Sequence, residues 1–182
     1  METVVADTCS LVSLAIPRAD ASDTASNPDP LQYLLTSTRV SVPTQVENEL
    51  REMAGYDDVH AAAATNVLAA SEHFRVVDPL AEDGGPDELP TYGLDTGETA
   101  AIVLANTNAV DALLTDEFTH LARIHALVEG ATLVPTPRLI RDYARNGHLT
   151  VDQARDLLDV IGPSRSWDAN SYVQAVGATL DG

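Results

Sequence analysis

The chain contains no lysine. All ten of its basic residues are arginine, set against 28 acidic residues, for a net charge of −18 over 182 residues. That absence excludes several chemistries. A P-loop needs a lysine on its phosphates, and Schiff-base catalysis needs an amine. Response-regulator receivers and haloacid-dehalogenase-type phosphatases place an acid after a strand but also rely on a lysine. The segment Asp7-Thr8-Cys9 is, moreover, not an Asp-x-Asp motif.

Cysteine is nearly missing too. A single residue, Cys9, rules out an internal disulfide and a cysteine-rich zinc site. The five histidines are scattered, and His120 and His125 miss an i, i+4 pair. No run approaches the roughly 18 apolar residues a membrane span needs. No basic segment precedes the N-terminal apolar stretch, so a signal peptide is not expected. The composition reads as that of a soluble cytoplasmic protein without membrane association.

A surface this acidic repels itself and destabilises the compact state. In molar salt the Debye length falls to roughly 3 Å and the repulsion is screened. An acid-rich, lysine-free composition resembles that of proteins from extreme halophiles, organisms with a salt-filled cytoplasm, which points to a halophilic archaeal type. The plainer alternative is a generic acidic surface.

Short apolar runs recur at Thr3–Ala6, Arg39–Val42, Phe74–Val77, Ala112–Thr115 and Ala131–Val134. Their continuity, rather than alternation, predicts parallel strands buried on both faces. Helical patterns lie between them, at Gln45–Ala54, Val59–Glu72, Glu98–Ala105 and Phe118–Val128. The expected fold class is α/β, with a three-layer core around a central parallel sheet of four to five strands. Surface loops are expected at Pro17–Pro30 and Ala81–Gly93. Beyond residue 135 the chain turns helical, with Pro137–Arg145, a stop at Asn146-Gly147, and a new start at Thr150. Thr150 and Gln153 make a capping-box pattern. A last helix is expected over Trp167–Val176. Residues 1–135 therefore read as the core domain, and 136–182 as C-terminal helices packed on it.

Acids occupy awkward places in this pattern. Asp7 ends the first strand and Asp116 follows the fourth. In a doubly wound sheet those strands are neighbours, and their carboxyl ends flank the crevice where ligands bind. Each acid also suits a helix N-cap. Glu49 lies three residues after Val46 and four before Met53, on or beside the apolar stripe of its helix. Asp95 and Glu98 fit a capping box at the start of another helix. Gathered carboxylates repel unless one is protonated or a cation sits among them. Oxygen-only ligands favour hard ions such as Mg²⁺ or Mn²⁺, which support phosphoryl transfer without a lysine.

The segments Val5-Ala6-Asp7-Thr8-Cys9-Ser10-Leu11, Val42-Pro43 through Glu49-Leu50, Leu94-Asp95-Thr96-Gly97-Glu98 and Leu113-Leu114-Thr115-Asp116-Glu117 together resemble the PIN-domain family. That family includes the toxin ribonucleases of VapBC toxin–antitoxin pairs. The resemblance implies a Rossmann-like PIN fold that cleaves RNA with Mg²⁺ or Mn²⁺. It makes Asp7, Glu49, Glu98 and Asp116 the expected catalytic acids. Asp7 and Asp116 would hold the principal metal, with Glu49 and Glu98 completing the site. Asp95 and Glu117 would be supporting acids. Partners implied are an RNA substrate, an antitoxin protein and a second copy of the chain in a homodimer. Two departures stand out. Cys9 occupies a place often held by a hydroxyl residue, leaving Thr8 or Ser10 to supply one. The arginine often found after the fourth acid is replaced nearby by His120, with Arg123 later. These departures leave open a catalytically degenerate PIN-like protein that acts as a binding or regulatory partner. Arg138, Arg141 and Arg145 form a basic helix face that reads either as an RNA- or partner-binding surface or as solvated charge near Asp142.

The composition yields a direct test. Circular dichroism should show the fold more stable in molar KCl than in dilute buffer. Equal stability in the two would contradict the halophilic reading.

Overall fold

The computed structural model describes residues 1–19 and 28–180. Five strands form one sheet: β1 (Thr3–Ala6), β2 (Arg39–Pro43), β3 (Phe74–Val77), β4 (Ala112–Leu114) and β5 (Thr132–Val134). Their order is β3-β2-β1-β4-β5, and every pairing is parallel. The chain starts in the middle of the sheet, winds outward through β2 and β3, then crosses back to β4. The switch point therefore falls between β1 and β4.

Nine α-helices occur among the described residues: α1 (Thr8–Ala15), α2 (Pro30–Ser37), α3 (Thr44–Met53), α4 (Val59–Ala69), α5 (Thr96–Thr107), α6 (Leu121–Leu127), α7 (Thr136–Arg145), α8 (Val151–Arg165) and α9 (Ser171–Ala178). The strands carry no alternation because both faces of the sheet are covered. Val4, Ala6, Ala112 and Leu114 point into a core shared with α1, α2, α3, α4, α7 and α8. Val5 and Leu113, on the opposite face, pack with Ala101, Ile102 and Leu104 of α5 and Ile124 of α6. This is the three-layer α/β architecture. Each fully buried leucine or isoleucine contributes about 1.5–3 kcal/mol relative to exposure.

The strand positions agree with the apolar runs to within a residue or two. Asp95–Glu98 and Thr150–Gln153 both form the capping boxes expected of them. Helix α7 stops at Asn146, and Gly147 takes a positive φ of 77°. Residues between Val77 and Thr96 hold neither helix nor strand, as expected for the Ala81–Gly93 loop.

Several elements differ. The loop expected at Pro17–Pro30 is shorter at both ends, because a 3-10 turn covers Ile16–Arg18 and α2 begins at Pro30. Positions 20–27 of that loop lie outside the described residues. Helix α2 is only eight residues long and opens on a proline at the end of the expected loop, although Leu31, Leu34 and Leu35 give it a buried apolar face. Asp29 caps it through Gln32 N–H. The helical pattern from Phe118 begins only at Leu121, since Glu117 holds His120 N–H in a turn ahead of it. The alanine-rich helix from Val59 ends at Ala69, and a 3-10 turn takes Ser71–His73. The last helix starts at Ser171, not Trp167. Asn170 supplies its cap, accepting from Tyr172 and Val173 N–H, while Trp167 is buried in the preceding turn against Phe118.

Candidate metal centre

Asp7 sits one residue past β1. Its own N–H donates to the Leu114 carbonyl at 3.1 Å, extending the β1–β4 ladder by one step. Its Oδ1 accepts from Ser10 N–H at 2.7 Å and caps α1. The capping role is therefore real, but it uses only one oxygen. Oδ2 is buried and has no hydrogen-bond partner. Asp7 is 3% exposed.

Asp116 reaches the same place from β4 and is 6% exposed. It does not cap the helix that follows it. Instead its Oδ1 accepts from Thr136 N–H at 2.7 Å, at the first turn of α7, where Pro135 offers no side-chain cap. Its Oδ2 is likewise buried and unpartnered. Glu117 performs the local turn duty that leaves Asp116 free to point inward.

Two carboxylates so placed disfavour each other's ionisation. Burial, reinforced by the charge of Asp116, pushes the Asp7 carboxyl up to about 7. Burial raises Asp116 as well, opposed by Ser13, Thr136 and the Arg165 guanidinium. Each acid thus has one oxygen held by a backbone N–H and one buried oxygen without a hydrogen-bond partner.

Glu49 and Glu98 stand nearby from α3 and α5. The Thr8 hydroxyl donates to Glu49 Oε2, and the Gly97 N–H also supports that carboxylate. A Cβ at Gly97 would lie 2.7 Å from Glu49 Cδ, closer than real side chains approach. Gly97 therefore leaves the space that the glutamate occupies. Glu98 is 9% exposed, and its Oε2 accepts from Asp95 N–H at 3.3 Å. Burial and the neighbouring Asp95 charge push it up to about 7. Burial also raises Glu49.

An open cleft of about 310 Å³ connects these groups to solvent. Asp7, Glu49, Asp95 and Glu98 line it, with Thr8, Cys9, Glu52, Met53 and Tyr56. Asp116 is absent from the lining and acts on the site through its neighbour Asp7. Among the described residues, no three histidine, cysteine, aspartate or glutamate side chains stand in a preassembled metal cluster. The acids are held apart, each on a separate donor. The donor set nonetheless suits a hard cation, being all oxygen, with two buried oxygens lacking any partner.

The residues that sequence patterns did not reveal are Gly97, Thr136 and Arg165. Gly97 lay inside a motif, but its role depends on a side chain from another helix. Arg165 ends α8, far along the chain, and its charge acts on both Cys9 and Asp116. Burial and the Asp7 charge push the Cys9 thiol up to about 12, with Arg165 opposing, so Cys9 stays a neutral thiol. The hydroxyl at the cleft comes from Thr8; Ser10 turns away to the Asp7 and Leu114 carbonyls. The basic trio of α7 lies elsewhere. Arg138 and Arg141 pair with Asp142, and Arg145 reaches the Thr179 carbonyl. Arg138 borders a cleft with Met1, Glu2 and Asp111, at the opposite ends of the strands from the acids.

A parallel sheet ordered 3-2-1-4-5 with acids at the carboxyl ends of its two switch-point strands defines a Rossmann-like acidic-site protein. The PIN-domain family model DUF3368 matches residues 26–180, and the chain belongs to that family. The match takes in Glu49, Glu98 and Asp116, while Asp7 precedes it. Comparison with curated proteins yields no match. Among the described residues, no helix is long and apolar enough to cross a membrane.

The raised carboxyls make stability depend on pH in a definite direction. An unfolded aspartate releases its proton near 3.8, whereas folded Asp7 holds its proton up to about 7. The native state therefore binds more protons across this window, and stability falls as pH rises through it. In metal-free protein in molar KCl, Asp7→Asn should match the wild type near pH 4. Near pH 8 it should be more stable, by on the order of 1–3 kcal/mol. Denaturant unfolding at the two pH values measures this, and a difference independent of pH would contradict it.

Proposed function

We propose that this PIN domain is a divalent-metal-dependent endoribonuclease. The observation that carries the reading is the buried Asp7–Asp116 pair, each acid with one oxygen left without a protein partner beside an open acidic cleft. PIN domains generally use divalent metals, and the oxygen-only donors here suit Mg²⁺ or Mn²⁺. Asp7 and Asp116 would hold the ion, with Glu49 and Glu98 at the cleft side. The ion would supply the positive charge that an in-line attack on a phosphodiester needs.

The chain's own groups account for the rest. Thr8 and Gly97 fix Glu49 against the cleft, so its carboxylate faces the substrate side. Glu98, pushed up to about 7, is poised to accept a proton from the attacking water near neutral pH. The water oxygen would bond to phosphorus as the phosphodiester P–O bond breaks, and the leaving oxygen would take a proton from solvent. The Arg165 charge offsets part of the negative charge of Asp116.

A nuclease assay on single-stranded RNA with Mn²⁺ in molar KCl tests this. Wild type should cleave, and Asp7→Asn should lose on the order of 100-fold or more. Gly97→Ala, which displaces Glu49, should lose roughly 10–100-fold while keeping its folded stability, since alanine suits a helix better than glycine. Equal cleavage by wild type and Asp7→Asn would defeat the site. Absence of cleavage by either would favour a PIN-like binding protein instead.

A further inference from the structure

Aromatic residues are scarce in this chain: one Trp, five Tyr and two Phe. Nearly all are committed to packing. Phe74 is buried in the core, and Tyr33 and Tyr143 meet edge to face at 4.5 Å. Phe118 packs on Trp167 at 5.9 Å and on Tyr172 at 5.7 Å. Tyr92 packs against the core beneath α5. Tyr56 differs: it is 64% exposed, and it lines the same cleft as Asp7, Glu49 and Glu98.

Its backbone is fixed in place. Helix α3 ends in a turn in which Gly55 N–H donates to the Glu52 carbonyl at 3.0 Å and Tyr56 N–H to the Met53 carbonyl at 3.1 Å. Met53, beside it in the cleft, is anchored against the core. The helix that carries Glu49 therefore places Tyr56 beside the cleft.

The charge of the cleft makes this ring more consequential. Among the described residues no arginine lines it, and with no lysine in the chain it offers no basic track for a phosphate backbone. Phosphate attraction also weakens steeply with salt. Stacking of a base on an aromatic face needs no positive charge, and unpaired bases are the ones free to splay onto such a ring.

We propose that Tyr56 is a substrate-positioning residue that stacks one unpaired RNA base beside the scissile phosphate, restricting the site to single-stranded RNA. This rests on the nuclease reading of the acidic cleft. The ring would supply affinity that the acids withhold, and would set which phosphate falls next to Asp7 and Glu49.

The test is fluorescence anisotropy with a fluorescein-labelled single-stranded RNA oligonucleotide, in Ca²⁺ and molar KCl, with RNA integrity checked on a gel. Tyr56→Ala should weaken binding on the order of 10-fold, while Tyr56→Phe and Tyr56→Trp should stay close to wild type. A set of oligonucleotides with one abasic position each should show one position whose loss matches that of Tyr56→Ala. That loss should vanish in the Tyr56→Ala background. If wild type binds and cleaves RNA but Tyr56→Ala binds equally well, the stacking role is overturned and the nuclease reading stands. If wild type binds no RNA, both are overturned. Tighter binding of a duplex of the same sequence would overturn the single-strand restriction.

Discussion

Asp7 and Asp116 are buried side by side at the ends of adjacent strands, and much of the surrounding structure answers to their mutual repulsion. The sheet order brings them together, because β1 and β4 pair in register through Ala6 and Leu114. Each carboxylate is then steadied by one backbone N–H, from Ser10 or from Thr136. The two donors belong to different helices, α1 and α7, so each acid is held independently of the other. What remains is one buried oxygen on each acid with no hydrogen-bond partner. Such an arrangement is unfavourable for a chain that needs only to fold, since buried polar groups ordinarily find partners. On the proposed reading, a bound cation would offset that cost.

The second ring of the site follows from helix geometry. Glu49 stands on the edge of the α3 stripe because the α5 N-terminus leaves it a place: Gly97 has no Cβ to fill it. Thr8, one residue after Asp7, gives that glutamate a hydrogen bond. Cys9, at the position where the family often has a hydroxyl residue, lines the cleft. Its thiol stays neutral, and the hydroxyl at the cleft comes from its neighbour. On the far side, the terminal turn of α8 brings Arg165 to bear on Cys9 and Asp116. The C-terminal helices thus contribute charge to the site as well as area to the core.

The strands were legible because a sheet covered on both faces demands continuous apolar runs, and Val4, Val5 and Ala6 or Ala112 to Leu114 supply them. The capping residues Asp95 and Thr150 were legible because their partners lie three residues away. Helix α2 was not, since it is short and opens on Asp29-Pro30 at the end of a polar loop, and Trp167 carried the look of a helix start that Asn170 provides. The acids could be picked out by their positions at strand ends, yet their partners could not. Thr136 to Asp116, Gly97 to Glu49 and Arg165 to Cys9 are contacts between distant segments, invisible to periodicity. Tyr56 likewise looks like any loop aromatic until the cleft beside it is seen.

The central claim is that the paired carboxylates form a cation site. The most direct measurement is the thermal midpoint of the wild type against Mn²⁺ concentration at pH 8 in molar KCl, beside that of Asp116→Asn. A ligand that binds only the folded state at about 100 times its dissociation constant adds roughly 2.7 kcal/mol. The expected result is a saturable rise in the wild type and little or none in Asp116→Asn. No rise in the wild type, or an equal rise in both, would contradict it.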